Sequence, residues 1–206
     1  MCKIASLGKI GKKKIIISVI IVLILAAGGF FWWWKGREIK GGSDDYAIKE
    51  TTEGKIVENK RAGLIVKVPE GWEAKKMEVE EGLMTFFPLG TEVEMRKEKI
   101  VLPLKKGCLI RTTVVYRKGD FDQIKRETKM DHLLMGNVKY DEFEEITINN
   151  YYTVKNTFEF EKLGLGISNY IPIKNKVYGF HLVWASDEKD RCIQEFNKFL
   201  ETALIQ

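Results

Sequence analysis

The pattern of hydrophobic and polar positions separates an uncharged stretch near the N-terminus from a longer part with strand and helix periodicity. Residues 15–34 carry no charge, and twelve of these twenty residues are Ile, Leu, Val or Phe. At a rise of about 1.5 Å per residue, a helix of this length matches the roughly 30 Å hydrocarbon core of a bilayer. The pattern predicts a single transmembrane signal-anchor helix. Its anchor residues include Ile15, Ile24, Phe31, Trp32, Trp33 and Trp34.

The charges beside this segment predict its orientation. The tail at 1–14 has no acidic residue, whereas the residues after 34 mix both signs. The positive-inside rule therefore places the tail in the cytoplasm and the rest of the chain outside the cell membrane. The residues that determine this topology are Lys9, Lys12, Lys13 and Lys14.

Two other interpretations of the apolar segment stay open at this point. Ala26, Ala27 and Gly28 are small enough for the cleavage site of a signal peptide, although cleavage there would leave a tryptophan run near the new N-terminus. A buried core helix is the other alternative, but a segment that is apolar on all sides at the start of a chain favours the membrane.

A flexible linker is predicted between the apolar segment and the folded part. Residues 35–54 mix charges with glycines such as Gly36, Gly41 and Gly42, and they show no sustained period of 2 or 3.6. Such a composition is typical of a tether that lets a domain reorient.

Period-two alternation predicts a series of strands after residue 54. Leu64, Val66 and Val68 share one face of a strand that Pro69 ends. The asparagine pair at 149–150 tolerates left-handed backbone geometry and predicts a tight hairpin. The other predicted strands and hairpins are 108–116, 73–79 with 83–87, 142–148 with 151–160, and 167–173 with 176–184. Residues 88–106 predict a loop or an irregular edge.

Two amphipathic helices complete the predicted elements. Asp120 precedes a helix over Phe121–Met135, whose buried seam is predicted at Phe121, Ile124, Leu133 and Leu134. A second helix is predicted from Asp187, with apolar residues at three- and four-residue steps as far as Leu204. Both faces of strand 176–184 are apolar, so we expect it to be central. The order of elements predicts an α+β domain at 55–206 with a mostly antiparallel sheet flanked by helices.

Charge and composition limit the classes of partner. Of 34 basic residues, five precede residue 35, so residues 35–206 hold 29 basic and 29 acidic residues. A domain without net positive charge is not expected to bind nucleic acid. The chain has three cysteines, which are too few for a disulfide-built scaffold.

The residues that could carry chemistry are few and scattered. His132 and His181 lie on different predicted elements without a further ligand at zinc-site spacing, so no metal or cofactor is predicted. Cys108 and Cys192 are candidates for a disulfide, and two buried thiols are an equal alternative. Cys108 with His181 is also a conceivable nucleophile and base, without a local motif that marks such a site.

Several of these motifs together resemble the PsbP-like family, the extrinsic photosystem II subunits and their bacterial relatives. The resemblance covers about residues 55–206. It rests on Gly63 and the apolar strand that runs into Pro69-Glu70-Gly71-Trp72, on the tyrosine pair at 151–152, on the strand at 177–182 and on the final amphipathic helix. It implies an antiparallel sheet sandwiched by helices, in an α/β/α arrangement, and a non-enzymatic accessory or binding module.

The sequence thus predicts a membrane-anchored, extracytoplasmic, non-enzymatic module with a protein partner in an envelope assembly. A tethered carrier of a lipid or small apolar ligand is a second hypothesis. A thiol-dependent hydrolase that uses Cys108 or Cys192 is a third.

Overall fold

The computed structural model of the protein describes residues 39–76, 84–93, 95–96, 99–100, 104–161, 164–185 and 187–206. The predicted transmembrane segment at 15–34, its anchor residues and the lysines of the tail lie outside these ranges. Within them, neither helix has the length and apolar content needed to cross a membrane. Ile39–Gln206 forms one compact unit.

The described residues form 14 strands and two α-helices. The strands are β1 (Ile39–Lys40), β2 (Tyr46–Thr51), β3 (Gly54–Asn59), β4 (Leu64–Lys67), β5 (Trp72–Lys76), β6 (Met84–Pro88), β7 (Met95–Arg96), β8 (Lys99–Ile100), β9 (Cys108–Tyr116), β10 (Val138–Ile148), β11 (Tyr151–Phe160), β12 (Gly164–Ile173), β13 (Lys176–Trp184) and β14 (Ala203–Ile205). The helices are α1 (Phe121–Met135) and α2 (Lys189–Glu201).

The strands form a large and a small antiparallel sheet. The large sheet has the order β10-β11-β12-β13-β9-β6-β5, and β1 pairs with the end of β9. The small sheet has the order β14-β4-β3-β2. β7 and β8 pair with each other inside the region that was expected to be a loop. The predicted α+β class with a mostly antiparallel sheet and two helices is therefore confirmed.

The turn residues explain why the β10–β11 and β12–β13 hairpins form at the predicted positions. Asn149 and Asn150 have φ of 50° and 66°, the left-handed geometry that a two-residue hairpin turn requires. Lys174 has φ of 56° in the next turn, between β12 and β13. The predicted hairpins at these two positions are confirmed.

The two faces of the large sheet are covered by different elements. On β13, Tyr178, Phe180 and Leu182 point into the main core, which α2 and the small sheet also line. Val177 points to the opposite face, where it packs with Ile124 of α1. We call these the core face and the α1 face. β13 lies between β12 and β9 and is covered on both faces, as its two apolar faces predicted.

Aromatic packing holds α2 against the core face. The Phe199 ring lies 4.8 Å from Phe86, 6.3 Å from Trp72 and 6.4 Å from Phe180, measured between ring centroids. Burying one such side chain contributes about 1.5–3 kcal/mol. The helix begins at Lys189, two residues after the predicted start. It also ends earlier than predicted, because Leu204 belongs to β14, which pairs with β4.

The predicted flexible linker at 35–54 is wrong from residue 39 onward. β1 pairs with β9, the Gly41 amide donates to the Val114 carbonyl at 2.9 Å, and β2 pairs with β3 along its full length. Tyr46 is almost fully buried in the main core. These bonds satisfy the backbone of residues that lack an alternating pattern. The domain therefore begins at 39, and the predicted boundary at 55 is too late.

Candidate functional site

Helix α1 is bounded by residues that satisfy its free backbone groups. Asp120 accepts a hydrogen bond from the Gln123 amide at 2.8 Å, and this is the predicted N-cap. Glu127 links the first two turns of α1 to the end of β9. It forms an ion pair with Arg117, which follows β9, and accepts a hydrogen bond from Gln123 Nε2 at 3.0 Å. At the other end the Gly136 amide donates to the His132 carbonyl at 3.2 Å. The predicted bounds are confirmed.

The inward side of α1 differs from the predicted seam. Ile124, Thr128 and His132 are the buried residues, at a spacing of four. Leu133 and Leu134, which were expected in the seam, are exposed. The C-terminal half of α1 instead turns His132 toward the sheet, where its ring packs against Phe158 and Phe160 and its Nδ1 lies 3.3 Å from Asp141 Oδ1.

The C-terminal end of α1 carries an exposed apolar surface. Its members are Met130, Leu133, Leu134 and Met135, which are between 53% and 83% exposed. We call them the α1 patch. Basic side chains adjoin it: Lys125, Arg126 and Lys129 line a shallow depression with Met130 and Asp122. A contiguous apolar surface with a polar rim is typical of an interaction site.

Below α1, a row of polar side chains crosses the α1 face. Its five members lie in direct register on five neighbouring strands, from β6 through β9, β13 and β12 to β11. Three of them are almost fully buried, and the other two are partly buried. We call this set the polar row: Thr85, Arg111, His181, Ser168 and Asn156.

His181 is the centre of the polar row. Its Nδ1 lies 2.8 Å from Ser168 Oγ, and its Nε2 lies 3.1 Å from Thr113 Oγ1. Burial lowers the pKa of His181 to about 4, and the charge of Arg111 and nearby His132 act in the same direction. The ring is therefore neutral near pH 7, so one nitrogen donates and the other accepts. Because Ser168 is almost fully buried, this pair holds strands together and does not present a nucleophile to solvent.

The inward residues of α1 continue this polar network. Burial raises the pKa of Tyr170, while its hydrogen bonds with Thr128 and Ser168 act against that shift. His132 Nδ1 lies 3.3 Å from Asp141 Oδ1, and the latter accepts from Asn156 Nδ2 at 2.6 Å. Burial lowers the pKa of His132, although Asp141 opposes the change. The network thus fixes the rotation of α1, which leaves the α1 patch facing outward.

The two histidines that the sequence left unassigned belong to this one network. In the described ranges, no group of three or more His, Cys, Asp or Glu side chains is placed to hold a metal ion. The signal that could have revealed the network is polar residues at alternate positions of the central strands, such as Arg111 and Thr113 on β9. The sequence pattern did not show which of these residues face one another.

The cysteines lie on the core face. The structure joins Cys108 to Cys192 as a disulfide between β9 and α2, with Cα atoms 5.7 Å apart, and neither residue is exposed. Cys108 is the register partner of Trp184, whereas His181 faces α1. The arrangement therefore gives no support to Cys108 and His181 as nucleophile and base.

Comparison with known proteins gives a similarity of fold only. No family model and no curated protein sequence matches the chain. Among solved structures, it is similar to the solution structure of cyanobacterial PsbP (CyanoP) from Synechocystis sp. PCC 6803. The identity is 13%, the TM-score is 0.45, and the match covers 78% of this chain and 92% of that one. The resemblance to PsbP-like proteins that the sequence indicated is thus found again as a structural resemblance.

A second solved structure, a protein from Bacteroides thetaiotaomicron, is more distant. It has 10% identity and a TM-score of 0.34, and the match covers 70% of this chain and 45% of that one. Both scores describe loose similarity, so the strand order and register above define the fold of this protein.

Proposed function

We propose that this protein is a membrane-anchored, extracytoplasmic accessory module that binds a protein partner through the α1 patch. The observation that carries the proposal is the orientation of α1, which buries Thr128 and His132 and exposes Met130, Leu133 and Leu134. A helix that packs only for stability would bury its leucines, since each buried leucine contributes about 1.5–3 kcal/mol.

The charges around the α1 patch indicate the chemistry of the partner. Lys125, Arg126 and Lys129 line the depression next to Met130, and they outnumber the acidic side chains beside them, Asp122 and Asp131. A complementary surface has apolar side chains flanked by carboxylates, as an acidic amphipathic helix does. We therefore propose that the occupant is an acidic amphipathic segment of another protein.

The proposed location rests on the sequence and on the cysteines. Residues 15–34 are uncharged and follow a basic tail, which favours a cytoplasmic N-terminus. The pairing of Cys108 with Cys192 fits an oxidising space outside the cytoplasm, where disulfides persist.

The hydrogen bonds and the burial of the polar row favour a binding role over catalysis. His181 has both nitrogens engaged with hydroxyl groups, and Ser168 and Asn156 are buried. These groups serve the packing of α1 on the sheet, which in turn presents the α1 patch.

Photo-crosslinking from α1 in the organism's own cells tests the proposal. A benzophenone amino acid replaces Leu134 in the full-length chain, and a matched variant carries it at Leu89, another exposed leucine. We expect one discrete adduct from position 134, none from position 89, and loss of the adduct when Arg126→Glu and Lys129→Glu are added.

Three results would contradict the proposal. One is the absence of an adduct from position 134, and another is the same adduct from both positions. The third is an adduct with the mass of two copies of this chain, because it would identify a second copy and not an acidic partner as the occupant.

A further inference from the structure

Two turns and the first strand meet at one end of the large sheet. The turn after β3 and the turn before β13 are joined because Lys176 Nζ and the Tyr178 hydroxyl both donate to the Ala62 carbonyl, at 2.7 and 2.6 Å. The Arg61 guanidinium lies 4.4 Å from the centre of the Tyr116 ring, and Tyr116 is the register partner of Ile39 in β1. The start of the described chain therefore lies beside both turns.

Positive charge is concentrated at this end. Four of its basic residues are exposed and the fifth, Lys176, is partly buried. The acidic residues close to it are Asp45, which pairs with Arg61 at 3.6 Å, Asp44, and Asp120, two residues after Lys118. Glu58 also lies near Lys60, but it is paired with Lys49. Apart from Glu58, five basic side chains therefore lie beside three acidic ones, a local excess in residues 35–206, which have equal numbers of basic and acidic residues. We call the set the basic end: Lys60, Arg61, Lys118, Lys174 and Lys176.

The length of chain before β1 limits how far the basic end can be from a membrane. The uncharged segment ends at Trp34, and β1 begins at Ile39. Fully extended, the chain between these residues spans at most about 18 Å. The potential of an anionic surface decays over roughly 8–10 Å at physiological salt, so partial extension already brings lysines at this end into its field.

We propose that the basic end binds the anionic phospholipid headgroups of the membrane that holds residues 15–34. This inference rests on the membrane anchoring proposed above. Lysine side chains beside a surface of net negative charge are attracted to it, and each contributes about a fivefold preference for the bound position. The domain is then held in one orientation and does not swing freely on its tether.

This orientation directs the α1 patch away from the bilayer. α1 starts beside the basic end, where Ile124 packs on Val177 near the start of β13. Its other end lies over Phe158 and Phe160, at the far end of β11. Leu134 is 13 residues along the helix from Phe121, which corresponds to about 20 Å. Lipid binding at one end thus leaves the α1 patch accessible to a protein.

Lysine footprinting of the full-length chain in nanodiscs tests the inference. The chain is reconstituted in phosphatidylcholine alone or in phosphatidylcholine with phosphatidylglycerol, and lysines react with a water-soluble acylating reagent. We expect the anionic lipid to slow labelling of Lys60, Lys118 and Lys174 severalfold and added salt to reverse the effect. Lys139 and Lys189, at the other end of the sheet, serve as controls and should label equally in both discs.

A charge-removal variant shows whether these lysines act together. Lys60→Gln, Lys118→Gln and Lys174→Gln are combined, and Lys176 is the reporter. Because all three side chains are exposed, we expect an unchanged unfolding midpoint. Lipid-dependent protection of Lys176 should be lost, because the removal of three charges that each contribute about a fivefold preference outweighs a severalfold protection. The matched variant Lys139→Gln with Lys189→Gln should keep that protection.

The outcomes separate the two proposals. If the chain does not co-elute with the nanodiscs, the membrane anchoring is wrong and the lipid inference falls with it. If the chain co-elutes but Lys60, Lys118 and Lys174 label equally in both lipids, the anchoring stands and the lipid inference is overturned. Equal slowing at Lys139 and Lys189 would also overturn it, because binding would then not be confined to the basic end.

Discussion

Gly179 is the residue that lets the polar row close around His181. A Cβ at this position would lie 2.3 Å from Thr113 Oγ1 and 2.7 Å from His181 Nε2, which is closer than atoms can pack. The backbone at Gly179 is not left-handed, so the requirement is for space and not for conformational freedom. The imidazole therefore occupies the volume that a side chain would take.

Gly179→Ala should destabilise the fold. Forcing a methyl group into this packed site costs about 1–3 kcal/mol, which chemical denaturation can measure. Gly42→Ala is the matched control, because the nearest atom to its Cβ is 3.9 Å away and its φ is −82°. A change within about 0.5 kcal/mol is expected there. Equal stability of both variants would show that His181 does not pack as described.

His181 should make stability depend on pH. Its folded pKa of about 4 lies below its ordinary value, so the unfolded chain binds the proton more tightly between those two values. Stability is then complete above about pH 6.5 and falls as pH decreases toward 4. The shift would correspond to ~3 kcal/mol, and partial exposure of the ring makes the real loss smaller.

The pH effect is measured by denaturation of the protein and of His181→Gln at a series of pH values. Gln does not titrate, so the free energy of unfolding of this variant should fall less steeply between pH 6.5 and 4 than that of the original protein. His132→Gln separates the contribution of the second histidine, whose pKa is also lowered. A His181→Gln variant whose stability falls with pH as steeply as that of the original protein would contradict the lowered pKa of His181.

At the scale of elements, α1 is stabilised by its inward residues, and its exposed ones form the proposed binding surface. Ile124→Ala should cost about 2–4 kcal/mol because this side chain is fully buried against Val154 and Val177. Leu133→Gln combined with Leu134→Gln should change stability by less than about 1 kcal/mol, since both are exposed. Thermal unfolding distinguishes the two; a large loss from the leucine variant would restore the predicted seam and contradict the α1 patch.

The disulfide joins two elements that are distant in sequence. Cys108 and Cys192 are separated by 84 residues, and closing such a loop contributes about 2–4 kcal/mol. Reductant should therefore lower the denaturation midpoint of the protein and leave Cys108→Ala with Cys192→Ala unaffected. Alkylation in denaturant without reductant should modify Cys2 alone. Modification of all three cysteines would show that the pair is not bonded.

The sequence predicted elements well where local chemistry decides their form. The asparagine turn at 149–150, the Asp120 cap and the two apolar faces of β13 each indicated the correct structure. The sequence did not predict strands whose formation depends on pairing or packing with residues far away in the chain. β2 buries Tyr46 alone among its six residues, so it has no alternating pattern, and β14 is a short strand whose partner β4 lies far back in the chain.

The site was less predictable than the fold for a related reason. The polar row exists because five residues from five strands fall in register, and a single sequence does not show that register. Without it, Leu133 and Leu134 are the natural choice for the buried side of α1. The contacts that Thr128 and His132 make with the sheet reverse this choice, and the exposed leucines become part of the proposed binding surface.

At the scale of the whole molecule, the two proposed binding surfaces lie at opposite ends of the domain. The basic end lies where β1 begins, and the α1 patch lies at the far end of α1. With residues 15–34 in a bilayer, the proposed lipid contact and the proposed protein contact do not compete. The start of the domain at residue 39 is important here, because only residues 35–38 then separate it from the uncharged segment, and not the whole of the predicted linker at 35–54.

The topology of the full chain in intact cells tests the central claim most directly. An impermeant maleimide is applied to cells that express the original chain, or Cys2→Ser with Glu53→Cys, which places a thiol at the exposed turn between β2 and β3. The account predicts labelling at position 53 and none at Cys2 until the cells are opened. Labelling of Cys2 with protection of position 53 would put the domain in the cytoplasm and contradict the account.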